Sequence, residues 1–326
     1  MTRKIDISHK TIFFIAGFIG ALWIIYLIKD VILLLFVAII LMSALSPFVE
    51  KLMHWKFPKG LAIGLIYLAI ILIIGLLLYV IVTPLIEQTS SLTTSLPHTI
   101  EKLMPDGTFN RNLLEQKLTD IFGNALGVTL TIFSNAITIV SIAVLTFYLL
   151  LDKERFENLL SHAFVSNQSR AKKLITRFED MLGAWLRGQV VLSLVIGIMS
   201  YILLYIFKIP YALPLAILAG IMEVVPVIGP IVSAIPPILI AYVTSPSPAL
   251  PLFIAIGYLA IQQLESHIIV PQVMKRAVGL NPLVVILAIA IGGRVLGISG
   301  ALLAVPITVV VQILLEEILD TKESII

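Results

Sequence analysis

Long, mostly apolar runs separated by short polar ones set the plan of this chain. Thr11 to Ile28 and Val31 to Val49 are parted only by Lys29 and Asp30, and Leu61 to Val82, Leu126 to Leu151 and Val190 to Phe207 follow. A helix needs about 20 mostly apolar residues to cross the hydrocarbon of a bilayer. These five stretches therefore read as ordinary spanning helices. The first has Arg3, Lys4 and Lys10 before it, as a signal peptide would, but it lacks a small-residue cleavage site and leads straight into the second span. It is expected to remain in the protein.

Two polar segments carry helical stripes of their own. Leu113, Leu114, Leu118, Ile121 and Phe122 form one, after a turn at Pro105-Asp106-Gly107; Leu174, Phe178, Met181 and Trp185 form another. The second predicts an amphipathic helix that lies on the membrane surface or packs on neighbouring spans, and packing is the simpler reading of both stripes.

From Ile209 onward the apolar pattern is broken. Pro210 and Pro214 precede an apolar run to Met222, Glu223 interrupts it, and Val224-Val225-Pro226-Val227-Ile228-Gly229-Pro230 leads into a second run to Val243 with Pro236-Pro237 inside it. Each arm falls short of a crossing, so the unit predicts a re-entrant helical hairpin. A second unit follows. Leu280 to Ile291 is apolar, Gly292-Gly293-Arg294 interrupts it, Gly297-Ile298-Ser299-Gly300 marks a turn, and Ala301 to Leu315 is apolar around Pro306. Setting Pro236 over Pro306 brings Pro226–Pro230 over Leu296–Gly300. Paired interrupted segments of this kind point to the binding site of a transporter.

Charge distribution orients the spans, because basic residues in short loops stay cytoplasmic. Arg3, Lys4 and Lys10 place the N-terminus inside, and Lys51, Lys56 and Lys59 place the second loop there too. The segment from Asp152 to Arg187, with seven bases, agrees. Pro84 to Ala125, with five acids against three bases, falls outside. If Leu250 to Ile268 crosses back in, Lys275 and Arg276 are cytoplasmic, both termini are inside, and the two hairpins enter from opposite faces.

Composition supports the same class and excludes others. The chain has 326 residues, 59% hydrophobic and 13% charged, with a mean hydropathy of +1.08; a soluble domain carries about 25% charged residues. A net charge of +3 is too small and scattered for nucleic-acid binding. With no cysteine there is no disulfide, thiol nucleophile or thiolate metal site. No Walker loop, dinucleotide fingerprint or H-E-x-x-H occurs, so no cofactor is expected and transport driven by ATP on this chain is excluded. Gly297-Ile298-Ser299-Gly300 has the form of a protease serine motif, yet His267 is the only histidine at comparable depth. An enzyme is not expected.

Ionisable groups at membrane depth are costly and mark a pathway or a pair. Glu223, Glu265 and Arg294 are the three here, and Glu223 is placed to pair with Arg294 across the hairpins. As a pathway, these residues join Pro226, Gly229, Pro230, Gly297 and Gly300 in a polar lining, with Glu223 or Glu265 as candidate proton or ion carriers. As structure, they form an ion pair plus an interfacial residue.

From about Ala143 the chain resembles the autoinducer-2 exporter family of bacterial membrane proteins. The resemblance rests on Phe147–Lys153, Arg187-Gly188-Gln189, Gly220–Pro230, Glu265 with Pro271, Gly279–Pro282, Gly292-Gly293, Gly297, Gly300 and Ala304-Val305-Pro306, in that order. It implies a multi-pass permease of the inner membrane with about eight spans, exporting a small solute. Some relatives export autoinducer-2 and others exchange sodium for protons. It also implies a homo-oligomer, plausibly a pentamer, whose paired hairpins move against a fixed scaffold. A scaffold without transport is the alternative of another class. The expected organisation is an all-α membrane protein: spans in 1–83, an outer insert at 84–125, a fourth span and amphipathic segment at 126–187, a transport core at 188–318 with hairpins 209–243 and 280–317, and a tail at 319–326.

Overall fold

A computed structural model of the chain describes residues 9–80, 136–163, 168–226, 228–245, 247–274 and 281–323. Among these residues all regular structure is helical. The outer insert with its stripe, the first part of the fourth span, Lys275 and Arg276, and the end of the tail lie outside them.

The helices are α1 (His9–Leu27), α2 (Lys29–His54), α3 (Lys59–Val80), α4 (Ala136–Leu151), α5 (Lys153–Ala163), α6 (Gln168–Ile206), α7 (Ala212–Met222), α8 (Ile228–Thr244), α9 (Ala249–Leu264) and α10 (Pro282–Glu323). A π turn, Glu265–Ile269, carries α9 on to Val273. Five of the described stretches are long and apolar enough to cross a membrane: Lys29–His54, Lys59–Val80, Gln168–Ile206, Ala249–Val273 and Leu283–Leu319.

Helices in lipid gain little by exchanging lipid for apolar side chains, so close packing holds them together. The buried face of α2 accordingly includes Ala38, Ser43, Ala44 and Ser46. Met42 and Val49 of α2 meet Ala62 and Ile63 of α3 and Leu150 of α4, and the Tyr67 hydroxyl donates to the Ala143 carbonyl at 2.8 Å.

The central member is α6. Its amphipathic part and the fifth span form one unbroken helix of 39 residues; no proline lies between Gln168 and Ile206 to separate them. Ile175, Glu179, Leu182 and Trp185 are buried on its first turns, so the stripe packs on protein and does not lie on the membrane surface. Next to it, Lys153 stands 3.3 Å from Glu179, 3.7 Å from Glu50 and 3.9 Å from Glu157. One cation thus ties α2, α5 and α6. Burial alone would lower the Lys153 pKa, but the three carboxylates, Glu179 first, more than offset it and raise it above 10.5. Burial raises the Glu179 carboxyl above its usual 4.5 despite Lys153, and Glu157 and Asp180 add to the rise.

Both interrupted units fold back as helical pairs. In the first, α7 and α8 reverse through Glu223–Pro226, and Leu215 of one arm and Ile240 and Ala241 of the other meet Leu204 at the far end of α6. Gly229 sits on the Met222 carbonyl so closely that a Cβ there would lie 1.9 Å from its oxygen. The arm after the turn does not break at Pro236-Pro237; α8 runs through both prolines. In the second unit the helical stretch Pro282–Glu323 reverses at Gly297, with φ 64° and ψ −143°, a combination closed to residues with a Cβ. Gly292 and Gly300 lie face to face, a Cβ on Gly300 being 2.0 Å from the Gly292 oxygen, whereas eight residues of straight helix would hold them about 12 Å apart. Arg294 and its neighbours continue the helix, and the turn lies at Gly297, the first residue of the Gly297-Ile298-Ser299-Gly300 stretch expected to hold it.

The hairpins approach α6 from opposite ends. The ends of the first lie at Leu204. The second packs Val285 and Val305 against Leu182 and Trp185, and its last turns reach the first turns of α6 through Arg177–Glu316 at 2.6 Å and Arg170–Glu317.

Gly300→Ala should destabilise the protein by about 1–3 kcal/mol, whereas Gly293→Ala, whose Cβ would meet only the Ala301 Cβ at 3.9 Å, should be tolerated. Thermal unfolding in detergent compares them, and equal stability of the two contradicts the fold-back. Lys153→Met should lower the melting temperature at neutral pH. The folded pKa of Glu179 is raised, so its charged form costs stability above about pH 4.5 and protonation relieves that cost. The Lys153→Met deficit should therefore shrink as pH falls toward 5; a pH-independent deficit contradicts the arrangement.

Candidate functional site

At the tip of the first hairpin, α7 ends at Met222 and places Glu223 in the turn, where the Glu223 N–H donates to the Ala219 carbonyl at 3.1 Å. The Glu223 side chain is wholly buried, and its carboxyl oxygens have no hydrogen-bond partner besides the Glu265 carboxyl. The turn is tight because the Ile228 N–H reaches the Pro226 carbonyl at 2.8 Å and the Gly229 N–H reaches Val225 at 2.9 Å. Pro230 opens α8 and its carbonyl accepts the Ser233 hydroxyl at 3.1 Å.

Glu265 arrives from α9. Pro271 has no N–H and its ring would collide with the His267 carbonyl in an α-helix. The chain before it loosens into the π turn, in which the Val270 N–H reaches back five residues to the Glu265 carbonyl. Such a turn inserts one residue and rotates what precedes it, a feature frequent at functional sites. Glu265 is thereby buried, at 7% exposure, while Ser266 and His267 face outward, the latter bonding to the Gln263 carbonyl at 3.0 Å.

The two carboxyl groups stand side by side, and Glu265 also keeps one oxygen without a donor. No cation balances them among the described residues. Gln189 on α6, 2% exposed, donates its amide to the Glu223 backbone carbonyl at 2.6 Å and so holds the tip against the long helix. The Ser193 hydroxyl, one turn on, has no partner. About two turns further, the Ser200 and Tyr258 hydroxyls lie near each other without a hydrogen bond of ordinary geometry. Between these two polar layers Leu192, Ile196 and Ile261 form an apolar one.

Of the residues singled out in the sequence, Glu223, Pro226, Gly229, Pro230 and Glu265 belong to this neighbourhood. Arg294, Gly297 and Gly300 do not; they form the tip of the second hairpin, which packs elsewhere on α6. The expected pairing of Glu223 with Arg294 is therefore corrected. Arg294 is exposed and has no ion-pair partner among the described residues, while Glu223 lies beside a second acid. Glu265 is likewise packed inside the protein, beside Glu223. Ser299 lies on the second hairpin, apart from His267. Gln189, Ser193, Ser200 and Tyr258 were not singled out as site residues. The signal available was polar groups at positions 189, 193 and 200, a spacing that puts them on one helix face.

The AI-2E family transporters match residues 12–320. The chain is 30% identical over 304 residues to the AI-2 transport protein TqsA of Escherichia coli (strain K12), covering 89% of this chain and 86% of that one. It is 29% identical over 292 residues to YueF of Bacillus subtilis (strain 168), covering 81% and 78%. It is 27% identical over 307 residues to YrrI of the same organism, covering 88% and 86%.

Two adjacent buried acids with no partner but each other make a specific stability prediction. Glu223→Gln supplies an amide that can donate to Glu265 and removes one buried acid, so its melting temperature should be unchanged or raised by about 2–4 °C. A structural ion pair demands a large loss instead, and such a loss in purified Glu223→Gln contradicts the geometry.

Proposed function

This chain belongs to the AI-2E transporter family, and from that premise we propose that it is a secondary exporter of a small polar solute of the autoinducer-2 class across the bacterial inner membrane. The observation that carries the reading is the pair of buried carboxyls, Glu223 and Glu265, with no partner but each other. A buried acceptor left unsatisfied costs about 1–3 kcal/mol, so this position favours any occupant that brings hydroxyl donors or positive charge. A small polyhydroxylated furanone supplies such donors, and the name of the E. coli relative supplies the substrate class.

The arms of the first hairpin, α7 with 11 residues or about 16 Å and α8 with 17 residues or about 25 Å, are each shorter than the about 30 Å of hydrocarbon. They serve as a re-entrant gate. Hairpins reaching the same long helix from its two ends provide two gates on one path, and alternating access consists of their rocking against α2, α4 and α6. The helical core formed by α2, α3 and α4 and the Lys153 cluster is the fixed part. The gradient of a coupled ion supplies the energy, with the carboxyl pair as the station where solute and ion meet.

Purified protein in proteoliposomes, loaded with autoinducer-2 and placed under proton or sodium gradients, tests this. Wild type should release the solute faster under one gradient than under none, and Glu223→Gln should lower that rate at least about tenfold while eluting as folded protein. Absence of autoinducer-2 flux under every gradient overturns the reading, as does sodium exchange that proceeds without it.

A further inference from the structure

Arg187 is the last charged residue before the apolar end of α6, and no carboxylate pairs with it among the described residues. Its partners are backbone. One guanidinium nitrogen, Nη1, donates to the Ser43 carbonyl at 3.1 Å and to the Ala44 carbonyl at 3.2 Å, both on α2. The need for this donor arises in α2, which runs through Pro47. Proline has no N–H, so the carbonyl four residues before it, that of Ser43, loses its helical partner. A buried carbonyl without a donor is costly, and Arg187 supplies the missing one. Gly183, one turn earlier on the same face of α6, makes the reach short: a Cβ there would overlap the Ser43 carbonyl, so the two backbones cross in contact.

The next two residues hold both halves of the candidate site. A Cβ on Gly188 would meet the Met274 sulfur at 2.9 Å and Val273 at 3.4 Å, at the end of the stretch that carries Glu265. Gln189 holds the Glu223 backbone carbonyl. Successive residues of an α-helix point about 100° apart, so one turn of α6 faces α2, the end of the Glu265 stretch and the tip of the first hairpin in succession. We infer that Arg187 is a positioning residue: through the carbonyl that Pro47 frees, it fixes this turn of α6 to α2, and with it the place at which Gln189 holds Glu223 beside Glu265. Its bearing on transport rests on the reading of that carboxyl pair given above. The anchoring does not, and its test uses no solute.

Thermal unfolding and hydrogen–deuterium exchange of the detergent-purified full chain test this as a cycle of Arg187→Met, Pro47→Ala and the double variant. Arg187→Met should lower the melting temperature by about 3–6 °C. In the Pro47→Ala background residue 47 again donates to Ser43, and the same change should cost no more than about half as much. Arg187→Met alone should also speed exchange of the Val224, Val225 and Gly229 amides at the hairpin tip at least about threefold, with the amides of α4 unchanged. In the double variant the tip should return toward the wild-type rate. Arg187→Lys keeps a cationic donor and should lose less on both measures; it carries the same comparison where Arg187→Met does not fold. An Arg187 loss that is equal with and without Pro47 overturns the inference, as does tip exchange at the wild-type rate in a destabilised Arg187 variant.

Discussion

A chain that turns inside a bilayer has no water to satisfy its backbone, so every reversal at that depth must be closed by the protein itself. The rest of this architecture depends on how its two reversals, at Glu223–Pro226 and at Gly297, are closed. At Gly229 and at Gly292/Gly300 the absence of a side chain lets backbone lie directly on backbone. At the first tip, Gln189 adds an amide to the Glu223 carbonyl. Both solutions need the long, uninterrupted α6 as a wall, which is why the amphipathic stretch and the fifth span are one helix.

The distribution of charge follows the same division. On the first turns of α6, charges are paired: Lys153 gathers three carboxylates, and Arg177 and Arg170 hold Glu316 and Glu317. At the tip of the first hairpin the opposite holds, since two acids adjoin with no cation and no partner but each other. Buried acceptors in that condition need an explanation such as an unseen ion, water or substrate. That contrast is the ground for proposing the tip as the site and for giving the paired charges a structural role.

Much of this was legible in the sequence. Apolar length anticipated Lys29–His54, Lys59–Val80, Ala249–Val273 and the apolar end of Gln168–Ile206 among the stretches long enough to cross a membrane, and the Pro/Gly interruptions fell at both reversals, because proline and glycine act on the backbone of their own turn. Less legible was anything that depends on partners distant in the chain. Glu223 and Arg294 are opposite in sign and both stand near breaks, so local reasoning paired them. The true neighbour of Glu223 is Glu265, brought inward by a π turn whose cause, Pro271, sits six residues away from it. Charge sign suggests which residues attract but carries nothing about which hairpin packs on which turn of α6. Gln189 escaped for a related reason: its importance lies in a backbone carbonyl 34 residues on, and carbonyls are invisible in a sequence.

The central claim is that Glu223 and Glu265 form the station a solute occupies. Labelling with a membrane-permeant carbodiimide, which reacts with protonated carboxyls in apolar surroundings, addresses it directly when read by peptide mass spectrometry with and without autoinducer-2. Modification should concentrate on Glu223 or Glu265 and slow at least severalfold as the solute is added. Labelling of that pair at the same rate with and without the solute, in protein that transports it, would contradict the claim.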